Sequence, residues 1–401
     1  MSMLSVIEPA TARLMAEVPQ AGVEETDAAV AKAKAAFPAW RDVAPGDRAS
    51  LIHRLADALA AEHEELARLE ARNAGKPIGS ARGEIGMAID TFRYYAGAPE
   101  RLLGKTIPVA GGVDMTFREP LGVVGLIVPW NFPLTIASWK AAPALAAGNT
   151  IVLKPAELTP LTAIELERVA LAAGIPEGVL NVVVGPGRVC GQRLVEHPDV
   201  AKIAFTGSTE IGKLMLVYAG QSNMKRVALE CGGKSPQIFL ADLEDLDRAV
   251  SYAINGIYGN MGEVCNAGSR LLIDKPIAGA FIERFIERGR TAYRAGDPLD
   301  PETNLGPLVT AQHRSRVLDY IGRGKREGAR LEFGGDAPEL PGSYVNPTLF
   351  SRVSNGMTIA REEIFGPVAA AIEVNGLEEA LKIANDSIYG LAASVWTRDL
   401  A

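Results

Sequence analysis

From residue 121 onward, short apolar runs alternate with helix-like stretches, and this alternation constrains the fold more than any other feature of the chain. The runs lie at 123–128, 150–153, 180–184, 201–205 and 226–229. Between them, 134–147, 161–173, 187–196 and 210–219 carry helical patterns. Strands separated by helices are the signature of βαβ units, and hence of a parallel sheet covered on both faces. Such sheets bind ligands in the crevice at the carboxyl ends of their strands, so residues just after the runs are the ones to inspect.

The flanking regions read differently. Residues 27–37 and 48–72 are rich in helix formers, with Leu51, Leu55, Leu59 and Leu66 at helical spacings, and Gly75 and Pro77 mark an end. A further helix is expected over 82–96. Segments 106–109 and 113–118 flank Gly111-Gly112, as in a β-hairpin. Beyond 240 the pattern predicts helices at 245–258, 276–288 and 310–327, and strands at 270–274, 368–374 and 391–397. The expected fold class is α/β: a Rossmann-like parallel-sheet domain over 1–104 and 120–240, a hairpin at 105–119, and a second α/β domain over 241–401. At roughly 150 residues per domain, 401 residues accommodate two or three such bodies.

Charge and cysteine usage narrow the function. Lys and Arg number 41 against 48 Asp and Glu, a net −7 without a basic run, which argues against a nucleic-acid or anionic-membrane binder. Three cysteines (Cys190, Cys231, Cys265) and four scattered histidines (His53, His63, His197, His313) offer neither a disulfide framework nor a zinc-ligand spacing. No metal is expected. A reducing, cytoplasmic setting is, because neither a signal peptide nor an apolar span is visible in the sequence.

Six motifs stand out, all but the Cys265 segment just after an apolar run. Gly185-Pro-Gly187 continues to Gly191, one position late for a dinucleotide loop. Gly207 to Gly212-Lys213 resembles a triphosphate loop, but Leu214 replaces its Ser or Thr. Each is either an ordinary βα turn or a phosphate cradle; Gly207-Ser208, between a strand and a helix, could hold a pyrophosphate on backbone N–H groups. Cys265 sits among glycines and polar residues, unlike Cys190 in its helical stretch, so it is a nucleophile or a structural thiol. Glu230 ends an apolar strand before Gly232-Gly233, an arrangement that suits a desolvated general base as well as a solvated carboxylate. Asn131, between Trp130 and Phe132 and bracketed by two prolines, is a rigid turn or an oxyanion donor. Lys154 and Glu157 add a charged pair after the second run.

Taken in order, Pro129-Trp-Asn-Phe-Pro133, Lys154-Pro-Ala-Glu157, Phe205-Thr-Gly-Ser208, Glu230 with Gly232-Gly233-Lys234, the Cys265 segment and Glu363-Ile-Phe-Gly-Pro-Val368 resemble the aldehyde dehydrogenase superfamily over essentially the whole chain. The resemblance implies oxidation of an aldehyde with NAD through a cysteine thiohemiacetal and thioester. Cys265 would be the nucleophile, Asn131 an oxyanion donor and Glu230 the base that activates water. Lys140 matches a lysine proposed to assist proton relay; alternatively it is a helix-surface lysine. Lys154 and Glu157 would hold the adenosine ribose, Ser208 the pyrophosphate and Glu363 the nicotinamide ribose, with Phe365 close by. Trp130, Thr206, Gly207 and Gly232 complete the implied cofactor set. The first domain would bind NAD and the second would be catalytic. The hairpin would mediate a homodimer or homotetramer.

Two departures accompany the match. Cys231 stands where the family commonly has Leu. Family members also continue for several dozen residues beyond a segment like 390–398, so the catalytic domain is expected to be incomplete at its C-terminus. Two alternatives remain: a CoA-acylating semialdehyde dehydrogenase, and a truncated relative that only binds the cofactor.

Overall fold

A computed structural model describes residues 2–399, which fall into two compact units. The first comprises the chain up to Ile7, Leu14–Ala74 and Ala81–Glu230; the second comprises Glu8–Arg13, Gly75–Ser80 and the chain from Cys231 onward.

The described chain opens on a two-stranded sheet, β1 (Met3–Glu8) and β2 (Arg13–Pro19), which the sequence reading, with helices from residue 27 onward, did not include. Its strands alternate: Val6 and Val18 are buried in a cluster with Val184, whereas Ser5, Ile7 and Glu17 are exposed. Four helices follow, α1 (Val23–Arg41), α2 (Pro45–Ala61), α3 (His63–Ala74) and α4 (Ile78–Ala96). The helical run expected over 48–72 is thus two helices, separated where α2 is capped at Glu62. Strands β3 (Lys105–Val109) and β4 (Gly112–Thr116) pair antiparallel, and every residue in them is exposed.

The alternating region forms β5 (Val123–Ile127), α5 (Pro133–Ala146), β6 (Thr150–Lys154), α6 (Leu161–Ala172), β7 (Leu180–Val182), α7 (Gln192–Glu196), β8 (Val200–Thr206), α8 (Thr209–Gln221) and β9 (Arg226–Glu230). The five strands pair in parallel in the order β7-β6-β5-β8-β9. Counted within this sheet, that is 3-2-1-4-5, the doubly wound order whose direction reverses between β5 and β8. Every residue of the adjacent strands β5 and β6 is buried, which explains their continuous apolar runs. On β5 only glycine fits at 125, since a Cβ there would lie 2.6 Å from Ile203 and 2.9 Å from Leu194. The helix expected over 187–196 is shorter: Gly187–Gly191 is a wide π turn and only α7 is regular.

The second unit contains β10 (Pro236–Phe239), α9 (Leu246–Tyr258), β11 (Arg270–Asp274), α10 (Lys275–Gly289), α11 (Ala311–Arg326), β12 (Arg330–Phe333), β13 (Thr348–Ser351), α12 (Thr358–Arg361), β14 (Val368–Val374), α13 (Gly376–Asn385) and β15 (Ser394–Trp396). Its sheet runs β12-β13-β14-β11-β10-β15, parallel except for β12. Helix α9 shows how side chains set the layer. Asp245 caps it by accepting the Arg248 N–H at 2.9 Å, and Ala249, Val250, Ala253, Ile254 and Ile257 form its buried stripe. Those residues pack with Phe239, Phe281, Phe285 and Leu349 on one face of the sheet. Among the described residues, no helix is long and apolar enough to cross a membrane.

Candidate active site

In the first unit, the carboxyl ends of the parallel strands carry most of the residues singled out from sequence. The turn after β5 leads through Trp130 and Asn131 into α5, whose first residue is Pro133, where a fixed φ suits a helix start. Asn131 is 3% exposed, so its amide is held rather than solvated. The Trp130 carbonyl accepts a hydrogen bond from the Thr159 hydroxyl at 3.2 Å. Beneath this turn lies Glu70 of α3, whose carboxylate accepts the Leu134 N–H at 3.3 Å and the Thr162 hydroxyl at 2.7 Å. Asn73 likewise donates to the Leu158 carbonyl at 3.0 Å. Sequence inspection missed both residues, because a Glu or Asn in a charged helical run looks like a solvated face.

Lys140, further along α5, is partly buried, and its ammonium is pushed down to about 8 by burial and by Lys202, with Glu230 opposing. The surface-lysine alternative therefore fits poorly. Glu230 ends β9 as expected, but the desolvation expected of it is absent. Its strand is at the sheet edge, alternates between exposed and partly buried residues, and leaves Glu230 exposed.

Both phosphate-loop candidates need glycine for local packing. Gly207 lies against the Phe205 ring, where a Cβ would come within 2.5 Å, and its N–H donates to the Glu230 carbonyl at 3.1 Å. Thr206 ends β8, and Ser208 caps α8 by accepting the Ile211 N–H at 3.3 Å. Lys213 is exposed, as a triphosphate-loop lysine would not be. The Gly185 loop serves the packing of its own unit. Gly187 donates its N–H to Glu157 at 3.2 Å, and a Cβ on Gly185 would meet the Cys190 sulfur at 2.4 Å. Cys190 is 1% exposed within the core. Lys154, at the end of β6, is 4% exposed and donates to the Pro155 carbonyl at 2.9 Å. Burial pushes its ammonium down, and Glu157 opposes that shift.

In the second unit, Gly232-Gly233 lets two other segments approach the backbone closely. A Cβ on Gly232 would lie 2.2 Å from the Glu363 carboxylate, and one on Gly233 would lie 2.7 Å from the Cys265 carbonyl. The Gly233 N–H donates to Glu363 at 3.1 Å. Burial pushes the Glu363 carboxyl up, while that N–H, Lys234 and Arg316 oppose the shift. Lys234 is 2% exposed, its Nζ has no hydrogen-bond partner, and burial with Arg270 pushes it down to about 7. Cys265 is partly buried. Before it come three consecutive residues with positive φ, Asn260 (47°), Met261 (57°) and Gly262 (72°); Phe365 is a further one at 60°. Such backbone costs about 1–3 kcal/mol per non-glycine residue and collects at functional sites.

The Aldehyde dehydrogenase family model matches residues 2–401. Aldehyde dehydrogenase 1A1 of Bos taurus is 44% identical over 400 residues, covering 98% of this chain and 79% of its own. An aldehyde dehydrogenase of Enchytraeus buchholzi is 45% identical, covering 99% and 80%. Among solved structures, the aldehyde dehydrogenase KauB from Pseudomonas aeruginosa superposes with a TM-score of 0.98 at 46% identity, covering 100% of this chain and 82% of that one. An indole-3-acetaldehyde dehydrogenase in complex with NAD+ superposes at 0.97 and 46%, covering 99% and 81%.

Proposed function

Since the chain belongs to the aldehyde dehydrogenase family, we infer that it oxidises an aldehyde to the carboxylic acid with NAD+. The observation that carries the site assignment is the Gly232-Gly233 step, whose two missing side chains leave the Glu363 carboxylate and the Cys265 backbone in immediate contact with one glycine pair.

In this reading the Cys265 thiolate adds to the aldehyde carbon, and the carbonyl electron pair moves to oxygen. The Asn131 side-chain N–H and the Cys265 backbone N–H stabilise that oxyanion; losing one such donor costs about 10²–10³ in rate. NAD+, when bound, would supply the hydride acceptor, and Cys265 would be left carrying a thioester. Glu230 takes a proton from the attacking water, Cys265 departs as thiolate, and the acid leaves. Glu230 favours water over CoA as the acyl acceptor.

The residues present fit a dinucleotide. Gly207 keeps the approach to the α8 N-terminus free of a Cβ, and Ser208 caps that helix. Trp130, Thr206, Gly207 and Ser208 would contact the diphosphate half, Lys154 and Glu157 the adenosine ribose, and Gly232, Glu363 and Phe365 the nicotinamide ribose. A carboxylate at Glu157 would repel a 2′-phosphate. Native enzyme assayed for reduced cofactor with a panel of aldehydes should therefore prefer NAD+; equal kcat/KM with NADP+ would overturn the Glu157 assignment.

Lys140 would relay protons near Glu230. Because its ammonium titrates near 8, the neutral, proton-accepting form grows as pH rises through that value. The kcat profile of native enzyme should rise with an apparent pKa near 8, and Lys140→Met should lose that limb. An unchanged profile would remove Lys140 from the relay.

The β3–β4 hairpin exposes Ile107 and Val109 on one face and Val113 and Met115 on the other, which suits pairing with a second copy in a homodimer or homotetramer. Light scattering that returned a single-chain mass would refute this. A cytoplasmic location is proposed on cysteine usage alone.

A further inference from the structure

The reaction chemistry leaves Glu263 and His313 without a role, although Glu263 is 1% exposed, stands two residues before Cys265 and lies close to His313. We propose that Glu263, together with His313, is a positioning residue that locks the Cys265 loop to the Glu363–Phe365 loop. The proposal rests on Cys265 being the nucleophile.

The loop needs such a lock. Asn260, Met261 and Gly262 run consecutively through left-handed backbone, a conformation that persists only when its surroundings over-determine it. Glu263 is the next residue. Its carboxyl accepts the Val309 N–H at 3.0 Å, which fastens the loop to the segment leading into α11. The same carboxyl lies 3.7 Å from Nε2 of His313, a packing contact too long for a hydrogen bond.

His313 reaches the other loop. Thr310 caps α11 by accepting the His313 N–H at 3.1 Å, which fixes where the imidazole starts. Its Nε2 lies 2.6 Å from the Phe365 carbonyl. A carbonyl only accepts, so Nε2 carries the proton. Phe365 is itself left-handed and stands two residues after Glu363. The two loops also touch directly, since a Cβ on Gly262 would lie 2.3 Å from the Gly366 backbone. Gly233, Gly262, Val264, Glu363 and Phe365 line one shared small cavity, so the two loops border the same space. One carboxyl–imidazole node thus joins the strained backbone before the nucleophile to the strained backbone after Glu363.

Burial favours the neutral form of both groups. Burial pushes the Glu263 carboxyl well up, while the Val309 N–H and Lys76, from the segment before α4, oppose it. Burial pushes His313 down, as does Arg316 on α11, against the Phe365 hydrogen bond.

The test separates an acceptor from a filler. Glu263→Gln keeps size and a carbonyl acceptor for Val309; Glu263→Met keeps size and loses the acceptor. The readout is the rate of iodoacetamide alkylation at Cys265, followed by peptide mass, together with kcat. Glu263→Met should slow both by about tenfold or more, since a misplacement of about 1 Å can cost about 10²-fold. Glu263→Gln should stay within about threefold of native, because its amide oxygen still takes the backbone bond. Native rates in Glu263→Met, or equal losses in the two variants, would overturn the proposal. If Glu263→Met does not fold, His313→Gln, which still donates to Phe365, should outperform His313→Leu in the same readouts, and equal losses would again overturn it. Failure of the nucleophile assignment would show separately, as native turnover in Cys265→Ala.

Discussion

Replacing Cys265 by Ala is expected to lower NADH formation from any aldehyde substrate by about 10⁴-fold or more, the scale on which removing a covalent nucleophile acts. The chemistry demands a nucleophile that can also leave, and the methyl of an alanine at the same place forms no covalent intermediate. Cys190 cannot substitute, being 1% exposed in the core with its thiol turned to the Ala21 carbonyl at 3.2 Å. Cys231, beside Glu230 in sequence, is the stricter control: Cys231→Leu, which installs the residue common in the family, should keep activity within about threefold, as a volume-tolerant change to a partly buried site should. Activity of Cys265→Ala within about tenfold of native would remove Cys265 as the nucleophile.

The second large effect concerns Glu230. Glu230→Gln should leave the first turnover intact and slow the steady state by about 10²–10⁴-fold, the usual contribution of a general base. Rapid mixing should then show a burst of NADH equal to the enzyme present, followed by a slow phase. Added CoA should not restore the slow phase; restoration would favour the acylating alternative, and loss of the burst itself would place Glu230 before hydride transfer. The same variant has an electrostatic consequence. Glu230 opposes the burial that lowers the Lys140 ammonium to about 8, so its neutralisation should move the Lys140 titration further down.

The legible parts of the fold share a physical cause. Strands β5 and β6 are buried on both faces, so their sequences are unbroken apolar runs. Strand β10 is equally buried, yet it begins with Pro236 and contains Gln237, and it escaped notice. Gln237 is tolerated because its amide donates to the Gly268 carbonyl at 2.9 Å, a partner thirty-one residues away. Strands β12 and β13 are four residues each, too short for a period to register. At the site, Asn131, Lys154, Gly207, Glu230 and Cys265 stood out because each follows a strand or interrupts a pattern. Glu70, Glu263 and His313 did not, since nothing beside them in sequence marks them as buried.

That contrast divides what each level decides. Residue type and order were enough for the α/β class, for the βαβ series and for the chemical inventory of thiol, carboxylate and amide, because periodicity and reactive groups are local properties. The doubly wound strand order, the exposure of Glu230, the lowered Lys140 and Lys234, and the Glu263–His313 node came only with the tertiary structure. Charge state and strain depend on which distant groups exclude water from a side chain, and packing alone determines that.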